Sequence, residues 1–152
     1  MKVSIKPVDQ KNWEDIITLK VSSEQTDFVA TNGYSLAEAA YHKASVPMGV
    51  FGNNEAIGFV MYESLAYEGK PGEYSIYRFM IDEQYQNKGY GRLALQETIC
   101  QISSFDDWKR ITICYLPSNA VAKAFYEKVG FTEVGLDDSG EMLAEIRNNQ
   151  RE

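Results

Sequence analysis

The fold of this chain is indicated most clearly by the stretch Asp82-Glu83-Gln84-Tyr85-Gln86-Asn87-Lys88-Gly89-Tyr90-Gly91-Arg92. It lies between an apolar run typical of a central strand and a run with the apolar spacing of a helix, so its glycines belong to a turn at a helix N-terminus. The first N–H groups of a helix lack internal partners and lie at the positive end of its dipole, and glycine lets a ligand approach the backbone closely. The stretch therefore predicts a phosphate-binding turn, to which Lys88 and Arg92 add positive charge.

Two other nucleotide-binding patterns fit this turn less well. Gly89-x-Gly91-x-x-Ala94 matches a dinucleotide-binding pattern, and Asp106 or Asp107 follows at about the distance expected of a ribose-binding carboxylate. In that fold, however, the glycines follow the first strand, whereas here they come after several predicted strands, and the chain is too short for a second nucleotide-binding half and a substrate domain. A P-loop is excluded because no Gly-Lys-Ser or Gly-Lys-Thr occurs.

The apolar spacing of the rest of the chain predicts an alternation of strands and helices. Strands are predicted at 3–8, 46–51, 55–64, 74–82, 110–115, 131–134 and 141–146, and helices at 12–21, 35–44, 90–103 and 119–129. Ser35 should cap the second helix, with Glu38 as its capping-box partner. The strand at 74–82 should be central, because both of its faces are largely apolar. Strict alternation would place four of its residues on one face: Tyr74, Ile76, Arg78 and Met80.

Taken from Gln86, the turn has the form Gln86-x-x-Gly89-x-Gly91, and here the sequence resembles the GCN5-related N-acetyltransferase (GNAT) family, whose signature is [RQ]-x-x-G-x-[GA]. A second stretch, Asn119-x-x-Ala122-x-x-Phe125-Tyr126-x-x-x-Gly130-Phe131, looks like the second signature of that family. The resemblance extends from Val3 to Ile146. It implies a single domain over residues 1–152 with an α/β fold: a mixed, mostly antiparallel sheet of about seven strands, flanked by about four helices.

The resemblance implies acetyl-CoA as co-substrate, held between two splayed central strands, and no metal. It assigns backbone contacts with the pantetheine to Phe79, Met80 and Ile81, and further contacts with that arm to Asn119 and Ala122. It assigns the pyrophosphate to six consecutive residues: Asn87, Lys88, Gly89, Tyr90, Gly91 and Arg92. Tyr126 would lie near the sulfur and protonate the departing thiolate, a task that suits a phenol with a reference pKa of about 10.

The charge of the chain favours a cationic acceptor. Fifteen Lys and Arg against 22 Asp and Glu leave a net charge of −7, which disfavours nucleic acids and anionic membranes as partners. The segment 23–32, continued by 35–39, also resembles the N-terminal part of bacterial spermidine/spermine (diamine) N-acetyltransferases. We therefore expect transfer of an acetyl group to a primary amine of a polyamine, with Glu24, Asp27, Phe28 and Tyr77 contacting it.

The general base is left open. Some polyamine acetyltransferases of the family have a glutamate where this chain has Tyr77, so that base cannot be transferred. The remaining carboxylates near the expected site are Glu73, Asp82, Glu24 and Asp27, and the single histidine, His42, is expected to face solvent. Two alternatives also remain: another amine acceptor, such as a protein N-terminus, a lysine or an aminoglycoside, and a non-catalytic acyl-CoA-binding module.

Two further expectations concern location and assembly. No apolar stretch approaches the roughly 20 residues that cross a bilayer, and no signal-peptide core follows Met1, so a cytoplasmic protein is expected. Cys100 and Cys114 have no metal or disulfide spacing and are expected to be reduced structural thiols. Members of the family often form dimers, so a homodimer is compatible with the resemblance.

Overall fold

The structure, a computed structural model, describes residues 1–150 and contains one seven-stranded sheet. The strands are β1 (Val3–Pro7), β2 (Ser45–Gly52), β3 (Glu55–Ser64), β4 (Glu73–Ile81), β5 (Arg110–Tyr115), β6 (Thr132–Leu136) and β7 (Met142–Arg147). The helices are α1 (Trp13–Ile17), α2 (Asn32–Tyr41), α3 (Tyr90–Ser103) and α4 (Ala120–Val129). The spatial strand order is β1-β2-β3-β4-β5-β7-β6, and every pair except β4–β5 is antiparallel. The expected mixed sheet with four helices is therefore confirmed.

The parallel pair β4–β5 separates halfway along its length. The two strands pair from Glu73 with Arg110 to Ile76 with Ile113, and no further. Beyond that point β4 stays paired with β3, and β5 stays paired with β7. The second half of β4 thus presents one backbone edge to a wedge-shaped gap in the middle of the sheet.

A β-bulge in β4 lies where this gap begins. Met61 of β3 pairs with Arg78, whereas the next residue of β3 pairs with Ile76, so Tyr77 is the additional residue. The prediction of strict alternation along β4 is therefore wrong: Ile76 belongs to the core beneath α3 and α4, whereas Met80 packs on the other face. The bulge turns both Tyr77 and Arg78 towards the α2 side, where Tyr77 packs on the core beneath that helix and Arg78 contacts Glu38.

The sheet separates two apolar cores. The larger one packs α3 and α4 against the sheet and includes Ile76, Leu95 and Ile113. The smaller one lies beneath α1 and α2 and includes Phe59 and Met80. None of the helices that the structure describes is long and apolar enough to span a bilayer.

The first two helices differ from the sequence-based boundaries because of contacts distant in sequence. The first helix ends at Ile17 rather than continuing to residue 21, since the N–H of Lys20 donates to Asp82, 62 positions later. The second helix begins at Asn32, three residues early, because the hydroxyl of Thr31 accepts the N–H of Tyr34 and caps it. Consequently Ser35 lies buried inside the helix, and its predicted capping role is wrong.

Candidate active site

The glycine turn forms an open cradle of backbone N–H groups. Asn87 and Gly89 have positive φ values of 62° and 89°, and Gly89 is the N-cap of α3. From Asn87 to Arg92 no backbone N–H donates to another group within residues 1–150. Several donors at the positive end of a 14-residue helix are thus available to an anion.

Gln86 fixes this turn to two neighbouring segments. Its Nε2 donates to the carbonyl oxygen of Ile81 at the end of β4, and also to Oε1 of Gln25, both at 2.8 Å. The Gln25 contact is unexpected from the sequence, because the two residues are 61 positions apart. It connects the turn to the segment between α1 and α2. Lys88 bends back, and its Nζ donates to the carbonyl oxygen of Gln84 at 3.0 Å.

The predicted pantetheine-binding residues lie on the separated half of β4. Phe79, Met80 and Ile81 all follow the last pair that β4 forms with β5. The ring of Phe79 stacks on Phe125 of α4 with centroids 6.1 Å apart, while Met80 and Ile81 are buried. Their backbone edge therefore adjoins the gap, and it can bind an extended ligand as a strand would.

Asn119 caps α4 on the opposite side of the gap. Its Oδ1 accepts the N–H of Ala122 at 3.0 Å, which is the ordinary structural role of a helix cap. Its Nδ2 donates to no group within the part of the chain described here. One side chain can therefore cap the helix and still donate to a ligand in the gap.

Tyr126 has a packed ring and an available hydroxyl. Its ring lies 5.4 Å from Phe125, 5.5 Å from Tyr115 and 6.0 Å from Phe131, measured between centroids. The hydroxyl forms no hydrogen bond with the residues described, and its oxygen is still accessible to solvent. Burial raises the pKa of Tyr126 above its usual value of 10.0, so the phenol keeps its proton at neutral pH. A proton donor is thus positioned on α4, close to the separated strands.

A polar cluster lies on the α2 face of β4 beside the bulge. The hydroxyl of Tyr77 bonds with that of Ser45, and the guanidinium of Arg78 lies 5.2 Å from the Tyr77 ring centroid. Burial raises the pKa of Tyr77 and the carboxylates of Glu63 and Glu38 add to this, while the Ser45 hydrogen bond and Arg78 lower it. Nη2 of Arg78 lies 3.4 Å from Oε1 of Glu38. Tyr77 is thus half-buried between α2 and the sheet.

The single histidine is part of the same face. Nε2 of His42 lies 2.6 Å from Oε2 of Glu63, and the hydroxyl of Tyr67 donates to the other oxygen of that carboxylate at 3.1 Å. The expectation that His42 faces solvent is wrong, since its ring is half-buried and also packs edge-on against Tyr67. The sequence contains no local pattern that predicts the His42–Glu63 pair, because Glu63 lies 21 positions away on another element.

The loop residues predicted to contact the acceptor lie at the outer surface. Glu24, Asp27 and Phe28 are all exposed and follow or belong to a short 3₁₀ turn between α1 and α2. Tyr77, by contrast, lies beneath α2 rather than beside them. The structure therefore divides the predicted acceptor residues between an exposed rim and a half-buried wall.

Two of the candidate bases serve the fold. Oε1 of Glu73 accepts from Nη1 of Arg110 at 3.0 Å. The oxygens of Asp82 accept the N–H groups of Gln84 and Lys20, each at 3.0 Å. Both carboxylates therefore hold neighbouring elements of the fold together.

The two cysteines differ in their surroundings. Burial raises the pKa of Cys114 to about 12, and Asp137 and Glu141 add to the shift, so this residue stays a protonated thiol. Cys100 is exposed on α3, which is a correction to the expectation that both are structural. Neither forms a disulfide within residues 1–150.

Comparison with known proteins identifies a family and similar chains. The sequence profile of the acetyltransferase (GNAT) family matches residues 12–131. The chain is 31% identical over 147 residues to a protein named spermine/spermidine N(1)-acetyltransferase from Bacillus subtilis (strain 168), covering 94% of this chain and 97% of that one. A protein named probable spermine N(1)-acetyltransferase from Bacillus subtilis subsp. natto is 30% identical with the same coverage.

Two solved structures show the same fold at low sequence identity. Aminoglycoside acetyltransferase AAC(6')-Ib in complex with coenzyme A has a TM-score of 0.81 at 16% identity, over 97% of this chain and 95% of that chain. The PaiA N-acetyltransferase from Thermoplasma acidophilum, also in complex with coenzyme A, has a TM-score of 0.72 at 16% identity, over 97% and 100%. As its two sequence signatures predicted, the chain belongs to the acetyltransferase (GNAT) family.

Proposed function

We propose that this protein transfers the acetyl group of acetyl-CoA to a primary amine of a polyamine, spermidine or spermine, directly within a ternary complex. One observation carries the proposal: an unpartnered phosphate cradle at α3, a free strand edge on β4 and an available phenol on α4 all lie around one gap. The names of the Bacillus subtilis relatives support the choice of amine. The whole chain, residues 1–152, serves as a single N-acetyltransferase domain.

Three elements of the fold each bind a different part of acetyl-CoA. The turn from Asn87 to Arg92 binds the pyrophosphate through its backbone N–H groups. The edge at 79–81 and the cap Asn119, beside Ala122, bind the pantetheine amides. This arrangement brings the thioester to the part of the gap that Tyr126 adjoins.

The reaction is a nucleophilic attack of a neutral amine on the thioester carbon. The new C–N bond forms, the C–S bond breaks, and the amine nitrogen releases one proton to solvent. A backbone N–H near Ile81 stabilises the developing oxyanion, and Tyr126 gives its proton to the departing sulfur. The resulting phenolate takes a proton back from solvent, which balances the proton that the amine released. The raised pKa of Tyr126 suits this acid role, because the phenol is protonated at the start of each turnover.

The acceptor side fits a polycation. The net charge of −7 attracts one at long range, and the exposed Glu24 and Asp27 lie on the segment that covers this side. Phe28 and Tyr77 offer aromatic surfaces to methylene or ammonium groups. These four residues are our proposed contacts for the substrate.

A panel of acceptors tests the function. Purified protein and acetyl-CoA are incubated with spermidine, spermine, putrescine, an aminoglycoside and a lysine-containing peptide, and release of the CoA thiol is followed. We expect kcat/KM to be at least about tenfold higher for the polyamines than for the other acceptors, a difference of about 1.4 kcal/mol in transition-state binding. Higher values for the aminoglycoside or the peptide would identify another acceptor class. Binding of acetyl-CoA without turnover on any amine would instead support a non-catalytic module.

Two further proposals concern the cell and the assembly. We expect a cytoplasmic enzyme, because polyamines and acetyl-CoA are both found there, and we expect a homodimer by analogy with the family. Sedimentation equilibrium of the purified protein measures the assembly. A mass near 17.2 kDa would show a monomer.

A further inference from the structure

The segment between α1 and α2, residues 18–31, is attached to the connection that leads from β4 into the glycine turn. The N–H of Lys20 donates to Oδ2 of Asp82 at 3.0 Å, and the N–H of Glu83 donates to the carbonyl oxygen of Lys20 at 2.8 Å. Among the residues described, every hydrogen bond that leaves this segment, apart from those with α1 and α2, ends in residues 82–86. The α1–α2 segment and the proposed cofactor turn thus share one point of attachment.

The middle of the α1–α2 segment depends on one side-chain contact. Oε1 of Gln25 accepts from Nε2 of Gln86 at 2.8 Å. In the part of the chain that the structure describes, no other hydrogen bond joins residues 21–30 to a different element of the fold. Val21 and Val29 pack against the smaller core at the two ends of this stretch, whereas most residues between them are exposed. The position of these exposed residues therefore depends on Gln86.

The side chain of Gln86 joins three parts of the fold at once. Its Nε2 carries two N–H groups, of which one donates to the carbonyl oxygen of Ile81 and the other to Gln25, both at 2.8 Å. Ile81 is the last residue of β4, and Asn87, directly after Gln86, has the positive φ of 62° at which the chain turns. One amide group thus connects the strand end, the glycine turn and the α1–α2 segment.

An anion bound at the glycine turn would hold this amide group in place. From Asn87 to Arg92 the backbone N–H groups have no partner among the residues described. An anion that accepts from several of them favours the arrangement of the turn in which they converge, and Gln86 begins that turn. Because Gln25 is bonded to Gln86, the same binding event favours the observed position of the α1–α2 segment. Linkage is reciprocal, so an amine held by this segment strengthens cofactor binding in turn.

We propose that Gln25 is a positioning residue, through which acetyl-CoA bound at the glycine turn holds the α1–α2 segment over the acceptor side. This role rests on the proposed acetyl transfer, because three of the proposed acceptor contacts, Glu24, Asp27 and Phe28, lie within three residues of Gln25. Gln25 touches no reacting atom and acts through Gln86. A neutral hydrogen bond changes a binding equilibrium about two- to tenfold, so the two substrates should strengthen each other's binding by about fivefold.

Hydrogen exchange measured by mass spectrometry tests this role without any amine. Saturating CoA should slow the exchange of amides in residues 21–30 of the wild-type protein by about threefold or more. Gln25→Met keeps the length of the side chain but removes the acceptor, so this slowing should disappear. Gln25→Glu keeps an acceptor oxygen and should restore it. Gln10→Met is the matched control, because Gln10 is exposed and lies outside the segment.

Calorimetry then measures the coupling between the two substrates. The Kd for CoA is determined with and without saturating spermidine, a mixture that cannot react because CoA carries no acetyl group. Spermidine should lower this Kd about fivefold in the wild type and in Gln25→Glu, but less than about twofold in Gln25→Met. In turnover, Gln25→Met should raise the KM for spermidine and leave kcat within about twofold, a split that a general loss of folded protein would not give.

The outcomes separate this role from the proposed function. Exchange that CoA slows equally in Gln25→Met and the wild type, or that CoA does not slow in either, would overturn the role of Gln25 alone. An equal effect of spermidine on the Kd for CoA in both proteins would do the same. A wild-type protein that binds no CoA, or that acetylates no amine, would overturn the proposed function instead.

Discussion

The change Tyr126→Phe isolates one atom, the phenolic oxygen of the proposed acid. Its ring would keep its packing against Phe125, Tyr115 and Phe131, whose centroids lie within 6.0 Å. Since the hydroxyl has no hydrogen-bond partner among the described residues, the free energy of unfolding should change by less than about 1 kcal/mol. Loss of a positioned general acid should lower kcat by about 10²-fold or more. The two effects are therefore well separated in size.

The assay follows thiol release at saturating acetyl-CoA and spermidine, with the Kd for acetyl-CoA measured by calorimetry. That Kd should stay within about twofold of wild type, because the change removes a transition-state interaction. Tyr115→Phe is the matched control: it removes the hydroxyl of a neighbouring ring, which donates to Glu133, and should leave kcat nearly unchanged. Because burial raises the pKa of Tyr126, its protonated form persists below that value, so kcat should not fall through this group between about pH 7 and 9. A wild-type kcat in Tyr126→Phe would refute the acid role.

Two other changes test the turn and the stability of the sheet. Gly89→Ala should lower the free energy of unfolding by about 1 kcal/mol, since φ at Gly89 is 89°, and it should weaken acetyl-CoA binding measured by calorimetry. Gly91→Ala should leave stability and affinity unchanged, because its Cβ would have only ordinary contacts from 3.5 Å. Equal affinities in the two variants would contradict the cradle. Burial would raise the pKa of Glu145, but hydrogen bonds from Arg147 and Arg110 hold it below 4.5. Its stabilisation is therefore present above pH 4.5 and lost as pH falls through the lower folded value, so urea unfolding of Glu145→Gln should depend less on pH between about 5 and 3; identical slopes would exclude this linkage.

Local sequence signals predicted the elements that carry the candidate cofactor site. The boundaries of α3 and β5 agree with those predicted, and α4 ends before Gly130 as expected. Asn119 caps α4, and Gly89 adopts the left-handed conformation that its turn requires. Each of these features depends on residues a few positions apart, which is why one sequence is sufficient to predict them.

Contacts between distant residues account for what the sequence did not reveal. The bulge at Tyr77 carries no glycine or proline, so a strict two-residue period was the natural expectation. The early end of α1 depends on Asp82, and the pairing of His42 depends on Glu63. The proposed acceptor side depends mainly on such contacts, whereas the candidate cofactor side depends mainly on local motifs.

Product analysis by mass spectrometry tests the central claim most directly. Protein, acetyl-CoA and spermidine are incubated together, and acetylated spermidine and CoA thiol are both quantified over time. Direct transfer predicts one monoacetylated spermidine for each thiol released, at a rate that requires both substrates. Thiol release without acetylated spermidine, or no release above a protein-free control, would contradict the account.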